Sequence, residues 1–224
     1  MTASILKSAL KVAAATGIYA AIHSALASRA AKNAATAVLG HSRRAAFYRP
    51  FYLAQSVVTL AVLYFYARRL PDRTLYEVHG APAALMHAGR IAGLAYATWA
   101  AYEVGIPKIL GIAPFVAWLR GASDIDPEPE AQGPSCASGD RMKVTGPFRW
   151  SRHPLNFAPL PVFWLRPKMT AQLLAFNLAT TVYMVLGSLH EEHRLRLAHG
   201  EPYERYTHSG ISFYIPRPQS RRVA

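Results

Sequence analysis

The chain has 224 residues, enough for one sizeable domain, and its 52% apolar and 17% charged content is richer in hydrophobics than an ordinary soluble domain. In a soluble chain a net charge of +13 would point to nucleic acid. Here the basic residues fall in connections between strongly apolar segments, which is how a multi-span membrane protein reads, so nucleic acid is not an expected partner. The single cysteine, Cys136, excludes an intramolecular disulfide and a cysteine-based zinc site, and no metal is expected.

In chain order, residues 5–27 are the first segment long and apolar enough to cross a bilayer, which takes about 20 residues. Lys7 and Lys11 ahead of Ala25-Leu26-Ala27 also resemble a cleavable signal. Arg29 and Lys32 just beyond would resist translocation, so a retained first helix is expected. Residues 47–67 and 83–104 follow as spans, the former after a basic connection. Residues 106–119 carry Pro107 and Pro114, are too short to cross, and are expected to lie at the interface or to re-enter. Residues 121–140 are rich in Pro, Gly and acid, a polar excursion that reads as a flexible loop or as a lid over a ligand. Residues 154–165 contain Pro159 and Pro161 and read as a short or kinked helix paired with the span 170–189.

The expected fold is therefore all-α, a polytopic membrane protein of about five membrane helices. N-terminal membrane helices occupy residues 1–120, the polar connection 121–140, and a hairpin with a C-terminal module 141–224, all in one integrated domain. With that topology the two connections 28–49 and 105–152 and the C-terminal tail carry 17 Lys and Arg, against 7 on the other side. The positive-inside rule makes the richer side cytoplasmic and faces the N-terminus outward.

Chemistry concentrates after residue 140. The run Gly146-Pro147-Phe148-Arg149-Trp150-Ser151-Arg152-His153-Pro154 opens a helix, because proline is favoured at the first helical position. His153 then lies at the cap, where free backbone N–H groups, with Arg149 and Arg152 nearby, suit a carboxylate or phosphate. Glu191 and Glu192 end the last span, where carboxylates gain nothing from the helix dipole and need a partner. Asn177, Thr181, Met184, Ser188 and Glu191 recur at helical spacing and share an inward face. Gly200 is expected to end that helix, and Pro202 to start a short one bearing Tyr203 and Tyr206, which either close a pocket or anchor the chain at the interface. There is no Gly-rich nucleotide loop between a strand and a helix, which argues against a soluble Rossmann-type enzyme.

The order of these motifs resembles the catalytic half of the integral-membrane methyltransferases that include isoprenylcysteine carboxyl methyltransferase, phospholipid methyltransferases and bacterial methanethiol S-methyltransferases, over roughly residues 140 to 216. The resemblance implies S-adenosylmethionine as methyl donor. It places donor contacts on Asp140, Arg141, Met142 and Lys143, on Phe148, on His153, Pro154, Leu155 and Asn156, and on Glu191; Arg152 and Glu192 are expected to organise charge around the donor. Members that methylate prenylated cysteine carry an arginine four residues before the first glutamate, where this chain has Gly187. The residues Lys168-Met169-Thr170, Leu173 to Phe176, Thr181-Val182-Tyr183 and Gly187 resemble the methanethiol S-methyltransferase branch instead. A small thiol or another small lipophilic acceptor is expected, in a bacterial inner membrane with the donor site on the cytoplasmic side. A thiol reacts as thiolate, and His23, His87 and Glu192 are candidates to take its proton. In the N-terminal half, His23 to Ser28 and Tyr48 to Tyr52 resemble NnrU-like membrane proteins, with His23 either an interhelical hydrogen-bonding group or a substrate contact. Two other readings stay open: an NADPH-dependent membrane reductase and a non-catalytic NnrU-like factor.

Overall fold

The structure, a computed structural model, describes residues 2–125, 133–134, 136–137 and 141–218. In chain order the elements are α1 (Ala3–Ala27), α2 (Arg29–Leu39), α3 (His41–Ala67), β1 (Thr74–Glu77), α4 (Gly80–Val104), α5 (Ile106–Leu110), α6 (Ile112–Leu119), β2 (Cys136–Ala137), β3 (Arg141–Met142), a 3-10 turn (Gly146–Arg149), α7 (Pro154–Phe157), α8 (Pro159–Trp164), β4 (Lys168–Thr170), α9 (Ala171–His199) and α10 (Glu201–Thr207). Helix dominates, as expected. The two short antiparallel ladders, β1 with β4 and β2 with β3, were not expected from the sequence, because runs of two to four residues carry no usable periodicity.

Among the described residues α1, α3 and α9 are long and apolar enough to cross a membrane. Their surfaces are inverted relative to a soluble protein. On α9 the side chains of Leu178, Val182, Leu186, Leu189 and Leu197 are exposed, while Asn177, Ser188, Glu191 and Glu192 are buried. An apolar face turned outward and polar groups turned inward suit lipid as solvent. Helix α4 matches the expected third span in position and length, but is not among the three. Arg90, His87 and Glu103 interrupt it.

The contacts divide the chain into two compact units. The first comprises residues 1–77, 110–128 and 168–183. In it α3 packs on α1, α2 and α6. Buried Ser8 and Thr16 return their hydroxyls to the carbonyls of Ser4 and Val12 on their own helix, at 3.1 and 2.8 Å. Each of these two hydroxyls thereby finds an acceptor inside its own helix. Phe47 meets Phe115 and Trp118 edge-on. Helix α9 begins where Asp72 Oδ1 accepts the Gln172 N–H at 3.1 Å, satisfying one of the amide groups a helix start leaves open.

The second unit comprises residues 78–109, 129–167 and 184–224. Here α4 packs on α7, α8 and the 3-10 turn. Gly93 permits that approach: a Cβ there would lie 3.0 Å from the Pro161 side chain and 3.2 Å from the Ala158 carbonyl. Prolines split residues 154–165 into α7 and α8, as the sequence reading has it. Leu195, Tyr203, Tyr206 and Ile211 form a buried apolar cluster with Met142 and Val144 against it.

Candidate functional site

The site lies within the second unit and begins at Gly146, whose φ of 52° suits glycine. A side chain there would also collide with Glu103, whose Oε1 lies 2.7 Å from the position of a Cβ. Glu103 accepts a 2.6 Å hydrogen bond from the Thr145 hydroxyl just ahead of the turn. Trp150 then packs edge-on against Trp99, with ring centroids 5.3 Å apart, which locks the turn to α4. Phe148 is buried, and its carbonyl accepts a 2.9 Å hydrogen bond from the Tyr206 hydroxyl.

The segment following α10 straps this motif down. Arg152 N–H donates to the Ser212 carbonyl at 2.9 Å, the Ser151 hydroxyl to the Tyr214 carbonyl at 2.7 Å, and Arg217 N–H to the Trp150 carbonyl at 3.0 Å. The Tyr214 hydroxyl donates to the Asn156 carbonyl at 2.8 Å. Arg152 ties three segments together. Its Nε donates to Glu192 Oε1 at 2.7 Å and its Nη1 to the carbonyls of Thr207 and Ile211 at 3.2 and 3.1 Å, with the guanidinium over the Phe213 ring.

His153 caps α7 and is 3% exposed. Its Nδ1 faces Glu191 Oε2 at 3.3 Å and its Nε2 faces Glu192 Oε1 at 3.4 Å. Two carboxylates facing two ring nitrogens match the imidazolium, the form in which both nitrogens donate. Burial works against that charge, but the hydrogen bonds and charges of Glu191 and Glu192 outweigh it and raise the His153 pKa above 6.5. Asn156 Nδ2 donates to Glu191 Oε2 and to the Ser188 hydroxyl, each at 2.9 Å. Arg196 Nη2 donates to Glu192 Oε2 at 3.2 Å. The result is a buried network in which two glutamates are held by a histidine, an asparagine and two arginines.

Of the residues singled out in the sequence, Arg152, His153, Asn156, Glu191 and Glu192 meet in this network, with buried Pro154 opening α7 and Phe148 tied to the tail. Leu155 is half-buried on α7. Met142 packs inward on the Leu195 cluster, while Arg141 and Lys143 on either side are exposed, as strand alternation requires. Asp140 and residues 126–132 of the expected loop or lid lie outside the described residues. His87 is exposed beside Arg90, and His23 belongs to the first unit, hydrogen-bonded to the Ser56 and Tyr52 hydroxyls of α3. Sequence reasoning missed Ser151, Ser212 and Tyr214 as supports of the site. Ser151 stands inside the quoted motif, and the signal for Ser212 and Tyr214 was an aromatic, apolar tail beyond the last helix.

Over 66 residues the chain is 38% identical to a methanethiol S-methyltransferase of Crocosphaera subtropica, covering 30% of this chain and 26% of that protein. It is 35% identical over 71 residues to one of Mycobacterium tuberculosis, covering 32% and 29%. It is 40% identical over 55 residues to one of Pseudomonas deceptionensis, covering 25% and 21%. The chain is similar to methanethiol S-methyltransferases. That bears out the resemblance read from the motifs, and the matched stretch spans 21% to 29% of these three relatives. No family model and no solved structure matches the chain.

Proposed function

We propose that the chain is a membrane methyltransferase that takes a methyl group from S-adenosylmethionine and delivers it to a small thiol or a similarly small lipophilic acceptor. The observation that carries this reading is the buried network of His153, Asn156, Glu191 and Glu192, the first three of which are motif residues that the resemblance assigns to the donor. S-adenosylmethionine fits the chemistry of that set, since it bears an ammonium, ribose hydroxyls and a carboxylate, and the site offers carboxylates, an amide and guanidinium groups. When bound, the cofactor supplies a methyl group on positively charged sulfur, open to attack by a lone pair.

The chain's own part is binding and orientation. Glu191, with Asn156 and His153 holding its carboxylate, is ordered before any ligand arrives and accepts hydrogen bonds from the ligand's hydroxyls or ammonium. Arg152 and Glu192 act one step further out, fixing His153 and the tail. Glu192 already accepts from Arg152, Arg196 and His153, so we assign it positioning rather than proton removal. Gly187, where prenylcysteine methyltransferases carry arginine, favours an acceptor without a carboxylate. In the proposed topology about five segments cross the bilayer, with the N-terminus outward and the donor site on the cytoplasmic face of a bacterial inner membrane.

The test is product formation by protein purified in detergent and supplied with S-adenosylmethionine and methanethiol or another small thiol. A methyl thioether should form with wild type, at a rate lowered at least about tenfold in Glu191→Ala, in line with the loss of a charged contact worth about 1.5–3 kcal/mol. No thioether from any small thiol would sink the acceptor assignment.

A further inference from the structure

Three tyrosines of the second unit are buried near the site, and two of them use their hydroxyls on backbone. Tyr206 donates to the Phe148 carbonyl at 2.9 Å and Tyr214 to the Asn156 carbonyl at 2.8 Å. Tyr203, on α10, is 0% exposed, and its hydroxyl has no hydrogen-bond partner among the described residues. Buried hydroxyls nearly always have one. On the same α10 the Thr207 carbonyl accepts from Arg152 and Glu204 accepts from Arg196, and both arginines hold Glu192, which His153 links to Glu191. Burial first, and the two glutamates after it, keep the phenol protonated, so it remains a donor as well as an acceptor.

We propose that the Tyr203 hydroxyl is a ligand contact, reserved for the amino-acid end of the methyl donor; this rests on the methyltransferase reading above. The surroundings select that end. The guanidiniums of Arg152 and Arg196, both bonded to α10, and the carboxylates of Glu191 and Glu192 complement a zwitterion, whereas adenine and ribose carry no charge to match them.

Tyr203→Phe removes one oxygen and keeps the ring. Because the hydroxyl has no partner among the described residues, the ligand-free variant should keep or raise the thermal midpoint, whereas Tyr206→Phe, which loses a bond to Phe148, should lower it. S-adenosylhomocysteine should bind Tyr203→Phe about five- to tenfold more weakly than wild type, the range of one hydrogen bond. 5′-Methylthioadenosine, which lacks the amino-acid end, should bind both proteins alike. Equal S-adenosylhomocysteine affinity in both, the same loss for both ligands, or a lower ligand-free midpoint for Tyr203→Phe would each overturn this proposal and leave the methyltransferase reading standing. Wild type that binds no S-adenosylhomocysteine would overturn both.

Discussion

His153 is the residue on which the site's charge balance turns. Removing it leaves Glu191 and Glu192 facing each other's field with only Asn156 and the arginines to hold them. Breaking a buried ion pair from one side costs about 3–5 kcal/mol, and because those partners remain, His153→Ala should fall near the lower end. A denaturant or thermal melt in detergent would measure it, and a loss below about 0.5 kcal/mol, the level of an ordinary surface substitution, would contradict the buried pair. The pH dependence has a definite sign. The pKa of His153 is higher in the folded chain than its ordinary value of 6.5, so the imidazolium contributes stability that is fully present below about pH 6.5 and is lost as pH rises through the folded value. The wild-type midpoint should therefore fall on the alkaline side of 6.5. His153→Gln should lose most of that slope, and an unchanged slope in the variant would assign the effect elsewhere.

At the scale of elements, the 3-10 turn and α9 make different demands. Gly146 combines a positive φ with a close approach to Glu103, so Gly146→Ala should cost roughly 1–3 kcal/mol from backbone strain and overlap. Adding Glu103→Ala should recover the steric part but not the φ part. A double variant no more stable than Gly146→Ala alone would show that the contact is not the cause. On α9 the outward face is apolar, and Leu186 lies near its middle. Leu186→Lys should raise the cost of membrane insertion by about 3–4 kcal/mol, seen as reduced membrane-integrated yield, and normal yield would argue against a lipid-facing position. These elements also show what the sequence could and could not convey. Pro154 at a helix start and Gly200 just past α9 are local signals, and both features are in place, whereas Glu191 and Glu192, expected at a helix end, lie about two turns inside α9, out of reach of its terminal dipole. The tail strap is not local: Ser151 and Tyr214 pair across 63 residues, and Thr145 and Glu103 across 42. Such pairings depend on how helices pack, which neither propensity nor periodicity encodes. The same holds for Tyr203, whose sequence context suggests a pocket wall or an interface anchor equally well.

At the scale of the whole molecule, three apolar helices with outward-facing hydrophobic surfaces make this a chain suited to lipid, and the proposed topology adds α4 and the segment holding α7 and α8 as further crossings. Reporter fusions should place the connections 28–49 and 105–152 on the cytoplasmic side and the connection after α3, with Arg68, Arg69 and Arg73, on the other. Finding both sets on one side would break that topology without touching the chemistry of the site. The central claim is that the His153–Glu191 network binds the methyl donor. It is tested most directly by calorimetric titration of S-adenosylhomocysteine, with NADPH in parallel, into detergent-purified wild type and into Glu191→Ala shown to be folded. Wild type should bind S-adenosylhomocysteine saturably, with affinity weakened at least about tenfold in the variant, and should show no comparable binding of NADPH. Binding of NADPH instead, or S-adenosylhomocysteine affinity indifferent to Glu191, would contradict that claim.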